Sequence, residues 1–254
     1  YVKGRYKIAV GEYDTGVSCI QKSMEFAETL GEKKMLLNNL KQMIFYGIQV
    51  EDMEQVHTYV QRGLQMLEAE EKNSEEKGVF IRLKGWYLLH KGNYQEAEQV
   101  LWEAMEIFRN CVSDREYFSM SIAACQGYLG DLSRAKGDFE KAREYYQAAI
   151  ELGTGKVVTN GLGQFYSSMG QVLYLEKQYE EADEYLEKAV SCLKSHGYYW
   201  GLERALAYRA MLLWETGKQE EAKLCYEESW KISHKIKNPT TISILKQVEN
   251  YINH

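Results

Sequence analysis

The chain has 254 residues, 45% of them hydrophobic and 27% charged, with one proline, five cysteines and a formal net charge of −6. This balance excludes disorder, and the acidic excess without a basic stripe excludes direct nucleic-acid binding by this domain. No apolar run of about 18 residues occurs, so no membrane span or membrane partner is predicted. Cys19, Cys111, Cys125, Cys192 and Cys225 form no Cys-x-x-Cys pair, which points to reduced thiols in a cytoplasmic protein.

In chain order, helical periodicity predicts helices near 1–10 and 13–30, the second carrying Gly11, Tyr13, Gly16, Ile20 and Ser23. Helices near 32–49 and 52–71 follow, with Met53, Val56, Val60 and Gly63 in the same relative places; the charged stretch 68–77 reads as a solvated turn. The next pair, 74–91 and 94–110, carries a recurring phrase, Gly/Lys-x-aromatic-x-x-Ala-x-x-x-aromatic/aliphatic-x-x-Ala, at Gly92, Tyr94, Ala97, Leu101 and Ala104. Short polar residues at 110–114 predict a turn, after which 114–136 and 138–152 repeat the phrase at Gly137, Phe139, Ala142, Tyr146 and Ala149. Gly153 is the expected helix C-cap. Helices 156–176 and 178–195 carry Lys177, Tyr179, Ala182, Leu186 and Ala189, and 197–216 and 218–236 carry Gly217, Ala222, Tyr226 and Ser229. Asn238-Pro239 then supplies an N-cap and first-turn proline for a last helix, 239–252, with Ile244, Leu245, Val248 and Ile252 on one face.

Seven residues before each phrase lies a second slot, occupied by Gly4, Ile44, Gly85, Gly130, Gly170 and Ala210, so each repeat reads as two helices. The expected packing sets a small residue of the first helix against a small residue of the second, with Tyr, Phe and Leu filling the gaps beside them. This is the tetratricopeptide signature, and the chain resembles that family along essentially its whole length. The phrase's small or apolar position falls at Gly16, Val56, Ala97, Ala142, Ala182 and Ala222, a spacing of 40 to 45 where the family period is about 34. Longer hairpins resemble the sensor domains of bacterial transcription activators of the maltose-regulator type and peptide-pheromone receptors. The resemblance implies an all-α fold: a right-handed superhelix (solenoid) of six tetratricopeptide-like hairpins plus a C-terminal capping helix, forming a single domain over 1–254. The hairpins are expected at about 1–30, 32–71, 74–110, 114–152, 156–195 and 197–236. Only three residues precede Gly4, so the natural polypeptide is expected to continue upstream of Tyr1.

Candidate chemistry is sparse. Gly153, Gly155, Gly161 and Gly163 around Lys156 lack the Gly-x-x-x-x-Gly-Lys-Ser/Thr order of a phosphate loop and read as an inter-repeat loop. His57, His90, His196, His234 and His254 show no metal-ligand spacing, and no nucleophile elbow or Cys-His arrangement stands out. Glu180-Glu181 and Glu220-Glu221 open second helices, where acidic residues favour the positive end of the helix dipole. The reading is a non-enzymatic chain without metal or cofactor.

A groove remains. In this family the concave surface is lined by first-helix residues one and four positions after the slot and three before it. The offsets give Arg5, Ile8, Lys41, Phe45, Ile48, Arg82, Trp86, Leu89, Gly127, Asp131, Arg134, Ser167, Gln171, Tyr174, Ala207, Met211 and Trp214, of which Lys41, Phe45, Arg82, Trp86, Asp131, Gln171, Tyr174, Met211 and Trp214 are the partner-binding set. Phe45, Trp86, Tyr174 and Trp214 are candidate anchors, and Lys41 and Arg82 can meet a carboxylate. The chaperone-type carboxylate clamp is not matched, because Arg5 stands where that pattern has Asn. The resemblance implies a protein- or peptide-binding or effector-sensing module, in which a small effector is a second class of ligand. Its alternatives are a pheromone-receptor or aspartyl-phosphate-phosphatase type of regulator and a free-standing assembly scaffold. The sequence specifies no oligomeric state.

Overall fold

The structure, a computed structural model, describes residues 1–68, 74–111, 115–154, 160–197 and 199–252. Among them every regular element is a helix: α1 (Val2–Ala9), α2 (Tyr13–Leu30), α3 (Lys33–Val50), α4 (Met53–Met66), α5 (Glu75–His90), α6 (Tyr94–Asn110), α7 (Arg115–Ala135), α8 (Phe139–Gly153), α9 (Asn160–Leu175), α10 (Tyr179–Ser195), α11 (Leu202–Glu215), α12 (Gln219–Ile236) and α13 (Pro239–Ile252). Paired helices form hairpins, and the second helix of one packs on the first of the next, as α2 does on α3 and α10 on α11. The chain divides into two compact units, Tyr1–Tyr128 and Leu129–His254.

The turn inside each hairpin is the same device six times. The residue seven after the slot takes left-handed backbone at Gly11, Glu51, Gly92, Gly137, Lys177 and Gly217. The next amide reaches back across the turn, as Asn93 N–H to Leu88 O at 2.9 Å, Asp138 N–H to Ser133 O at 2.9 Å and Lys218 N–H to Leu213 O at 2.8 Å. These bonds satisfy carbonyls that the end of the first helix would leave open. Glycine serves four of the six turns because a side chain there crowds the following carbonyl, at roughly 1–2 kcal/mol. A Cβ at Gly92 would touch nothing, so strain alone acts there. Gly92→Ala is expected to lower stability by about 1 kcal/mol and Lys177→Gly to raise it by less, since glycine's looser unfolded chain offsets the gain. Urea unfolding of both variants checks the pair of signs.

The close approach of paired helices differs from the expected small-on-small contact. The slot glycines lie under large side chains of the second helix: a Cβ at Gly4 would stand 2.8 Å from Ile20, at Gly85 2.7 Å from Leu101, at Gly130 2.5 Å from Tyr146 and at Gly170 2.7 Å from Leu186. All four large residues are fully buried. The phrase's alanines meet the glycines through backbone, Ala182 O standing 3.2 Å from a Cβ at Gly170. Where Ile44 fills the slot, the approach moves one turn along, and Gly47 meets Val56 at 2.9 Å.

The last helix docks as its pattern implies. Asn238 Oδ1 accepts from the Thr241 amide at 2.9 Å ahead of Pro239, and Ile244, Leu245 and Val248 close over Ala207, Ala210 and Met211 of α11. Three details depart from the sequence reading, the first being that α4 ends at Met66, short of the expected 71. Gly153 lies within α8, and Thr154, with right-handed backbone, is the cap. α11 begins only at Leu202, because Gly201 adopts φ 86° as its N-cap. Residues 69–73 of the charged stretch, and 112–114, 155 and 156 of the two loop readings, lie outside the described residues.

Candidate functional site

In the first unit, α3 presents Lys41 and Phe45, both half-buried, and α5 presents half-buried Arg82. Burial pushes the Lys41 ammonium below its ordinary range; Glu76 and Glu75 partly compensate, while Arg82 and Lys34 add repulsion. The Arg82 guanidinium lies 6.0 Å from the Tyr128 ring centroid, and its buried Nε has no hydrogen-bond partner. Two cations at the same repeat position therefore sit close together, each without an ion-pair partner among the described residues. Trp86 lies inside the packing, stacked on His90 at 3.8 Å. Cys125 is buried, and desolvation pushes its thiol up to about 12, which Arg82 and Arg109 only partly oppose, so the thiolate is disfavoured.

In the second unit, the tail of α7 brings Asp131 and Arg134 against Tyr146 of α8. The Tyr146 hydroxyl donates to Asp131 Oδ1 at 2.7 Å, and Arg134 approaches the same oxygen at 3.4 Å. Burial opposes the Arg134 charge, but Tyr146 and Asp131 outweigh it and hold the guanidinium above its usual range. Burial and Asp131 likewise raise the Tyr146 phenol. On α9, Gln171 is buried and donates from Nε2 to Ser167 Oγ at 3.1 Å. Tyr174 is half-exposed; its hydroxyl donates to Glu215 Oε1 at 2.6 Å, while Tyr179 donates to Glu215 Oε2 at 2.8 Å. On α11, Met211 lies under α13, and Trp214 stays half-exposed.

The nine residues selected from the sequence thus separate. Lys41, Phe45, Arg82, Asp131, Tyr174 and Trp214 keep accessible surface, whereas Trp86, Gln171 and Met211, all one position after the slot, are buried. Their side chains turn onto their own helix or under the neighbouring one. Accessible positions lie instead two before the slot at Gln42, Tyr128, Ser168 and Tyr208, though Leu83 in that row is buried, and six before it at Asn38, Val79, Ala124, Gln164 and Arg204. Tyr128 and Tyr208 share one repeat position, a regularity visible in the sequence once that offset is inspected. Glu215 and Tyr179 were not selected, because one follows the offsets used and the other belongs to the packing phrase.

At the α10–α11 junction, Gln164 Nε2 donates to Trp200 O at 3.0 Å and Ser229 Oγ to Glu203 O at 2.6 Å. Glu203 is wholly buried, and neither carboxylate oxygen has a partner in bonding geometry. Desolvation raises its carboxyl to about 7; the Arg204 charge and the amides at the start of α11 pull weakly the other way. Among the described residues no group of His, Cys, Asp and Glu could hold a metal ion, and no helix is long and apolar enough to cross a membrane.

Tetratricopeptide-repeat family models match residues 84–110, 128–152 and 162–191. No curated protein matches the chain. Among solved structures, a Rap protein complexed with Competence and Sporulation Factor aligns at 14% identity and TM-score 0.72, over 96% of this chain and 68% of the other. PlcR of Bacillus thuringiensis, solved in complex with the peptide PapR7 and DNA, aligns at 11% and 0.68, over 86% and 74%. A signal-transduction ATPase with numerous domains and a tetratricopeptide-repeat sensor, from Pyrococcus horikoshii, aligns at 21% and 0.59, over 96% of this chain but only 38% of its own length. At these identities the likeness is one of fold. With the repeated turn, the slot packing and the family models in agreement, the chain carries tetratricopeptide repeats at residues 84–110, 128–152 and 162–191.

Proposed function

We propose that the chain is a non-catalytic binding module of a cytoplasmic regulator, a single repeat domain whose first-helix faces take up a peptide or an extended segment of a protein. The carrying observation is the pair Lys41 and Arg82. Two half-buried cations, one depressed by desolvation and by its neighbour, carry an unfavourable arrangement that an incoming carboxylate would relieve. Phe45 and the Tyr128 ring flank them with apolar surface, as an anchor site for a peptide requires. The fold likeness to Rap and PlcR, both solved with a signalling factor or peptide, supports a peptide-responsive regulator over a free-standing scaffold.

The test is a fluorescence-polarisation screen of heptapeptides, half of them acidic, against the whole chain. Acidic members are expected to bind. Lys41→Ala and Arg82→Ala are each expected to weaken them about tenfold to thirtyfold, near 2 kcal/mol, with little change in melting temperature. Lys188→Ala, on the outer face of α10, is expected to leave binding unchanged. Acidic peptides bound equally well by both groove variants would overturn the reading.

A further inference from the structure

We infer that Tyr174, Tyr179, Tyr208 and Glu215 of the second unit form a recognition site for a cationic group of a peptide, the ammonium of lysine or the guanidinium of arginine. The inference deepens the proposed function and names the chemistry on the second unit's face.

Three rings build a bent wall. The Tyr174 ring lies 6.0 Å from Tyr179 at an interplanar angle of 42° and 6.1 Å from Tyr208 at 69°. All three tyrosines are half-exposed, and Tyr174 and Tyr208 are supported from behind by the packing of α11 on α13. Glu215, at the end of α11, is exposed and holds the hydroxyls of Tyr174 and Tyr179, one on each oxygen.

The hydrogen-bond inventory decides what the site accepts. A phenol has one proton to donate, and Tyr174 and Tyr179 have both spent theirs on Glu215. What these groups offer a ligand is therefore acceptors: the remaining lone pairs of two carboxylate oxygens and of two phenol oxygens. An all-acceptor cluster backed by the negative faces of aromatic rings suits a group with several N–H donors and a positive charge. The burial of Tyr174 and its bond to Glu215 raise that phenol above its ordinary range, so it stays protonated and keeps the arrangement at neutral pH.

Glu215 also differs from the carboxylates of this unit that are paired with a cation of the chain. Asp131 is matched by Arg134, Glu176 by Arg143, Asp183 by Arg209 and Glu228 by Lys194. Among the described residues Glu215 holds phenols in place of a cation. Arg134 lies near enough for Tyr208 to favour its charge, but Asp131 already neutralises it. The local charge facing a ligand is thus the carboxylate of Glu215.

The experiment uses the whole chain with isotope-labelled tyrosine rings, read by NMR. The probes are acetylated, amidated pentapeptides with a central arginine, lysine, citrulline or norleucine between glycines, and unacetylated pentaglycine amide. At millimolar concentration the arginine or lysine probe is expected to shift the resonances of Tyr174, Tyr179 and Tyr208. Citrulline, which keeps the shape of arginine without its charge, is expected to bind about tenfold more weakly or worse. Shifts produced by pentaglycine amide alone would assign the site to a peptide N-terminus, the same chemistry from another source. Glu215→Gln, an exposed and isosteric change, is expected to abolish the charge preference. No shift with any cationic probe, equal shifts with citrulline, or a response unaffected by Glu215→Gln would overturn the inference. Failure here with acidic peptides still bound at Lys41 and Arg82 leaves the proposed function standing. Cation binding with no peptide bound at Lys41 and Arg82 does the reverse.

Discussion

At about pH 8 the Glu203→Gln variant is expected to melt several degrees above the unmodified chain, and near pH 4 that advantage is expected to be gone, the variant melting slightly below. The carboxyl of Glu203 is fully buried without a partner and titrates at about 7, against 4.5 for an ordinary glutamate. Below the lower value both folded and unfolded chains hold the proton, and the group contributes no pH dependence. Between the two values only the folded chain holds it, so each step upward in pH favours unfolding. Above about 7 both states are ionised and the loss is complete, roughly 3 kcal/mol in all. Glutamine cannot ionise and escapes that loss. Its buried amide brings unsatisfied donors of its own, which trims the gain without giving it a pH dependence. The measurement is thermal unfolding of both proteins across pH 4 to 8. A difference that stays flat over that window would mean that the folded chain compensates the Glu203 carboxylate and its carboxyl titrates as in the unfolded chain.

Much of the fold was legible because a repeat states it several times. Glycine at 11, 92, 137 and 217 marked the turns, and the structure shows why: that position is left-handed in every hairpin, even where Glu51 or Lys177 has to adopt it. Asn238-Pro239 and the apolar residues at 244, 245 and 248 marked the last helix for a similarly local reason. The small-on-small expectation held only for the backbone, as between Gly4 and Gly16, because a sequence phrase lists which residues pack and leaves open which partner each one meets. Gly85 meets Leu101 four residues beyond Ala97, since the helices pack along their length and not level by level. The groove was the least legible part. Whether the residue after the slot faces outward depends on how neighbouring first helices and α13 lie against it, so Trp86, Gln171 and Met211 entered the packing while Phe45 and Asp131 stayed accessible. Glu203 was invisible as well: a glutamate in the first turn of a helix ordinarily points at solvent near the positive dipole end. It is buried here because Gly201 turns the chain under α9, where Gln164 holds Trp200.

Tyr146→Ala is expected to be among the most destabilising single changes in the second unit, by about 4 kcal/mol, and to lose part of that cost when Gly130→Ala is added. The ring of Tyr146 is completely buried over Gly130, so truncation removes a large apolar contact and leaves a cavity. It also deprives Asp131 of its shortest hydrogen bond, leaving the carboxylate to Arg134 at 3.4 Å. Tyr146→Phe keeps the ring and loses only the hydroxyl, so about 2 kcal/mol is expected from an under-satisfied charged acceptor. Gly130→Ala alone sets a methyl 2.5 Å from the Tyr146 ring, closer than atoms tolerate, and the crowded pair of helices must separate at about 2 kcal/mol. In the double variant that methyl enters space the ring has vacated. The clash disappears and part of the cavity fills, so the two costs do not add. Urea unfolding of the three single variants and the double gives the coupling directly. A double variant whose loss equals the sum of Tyr146→Ala and Gly130→Ala would show that glycine at the slot is not there to admit the tyrosine ring.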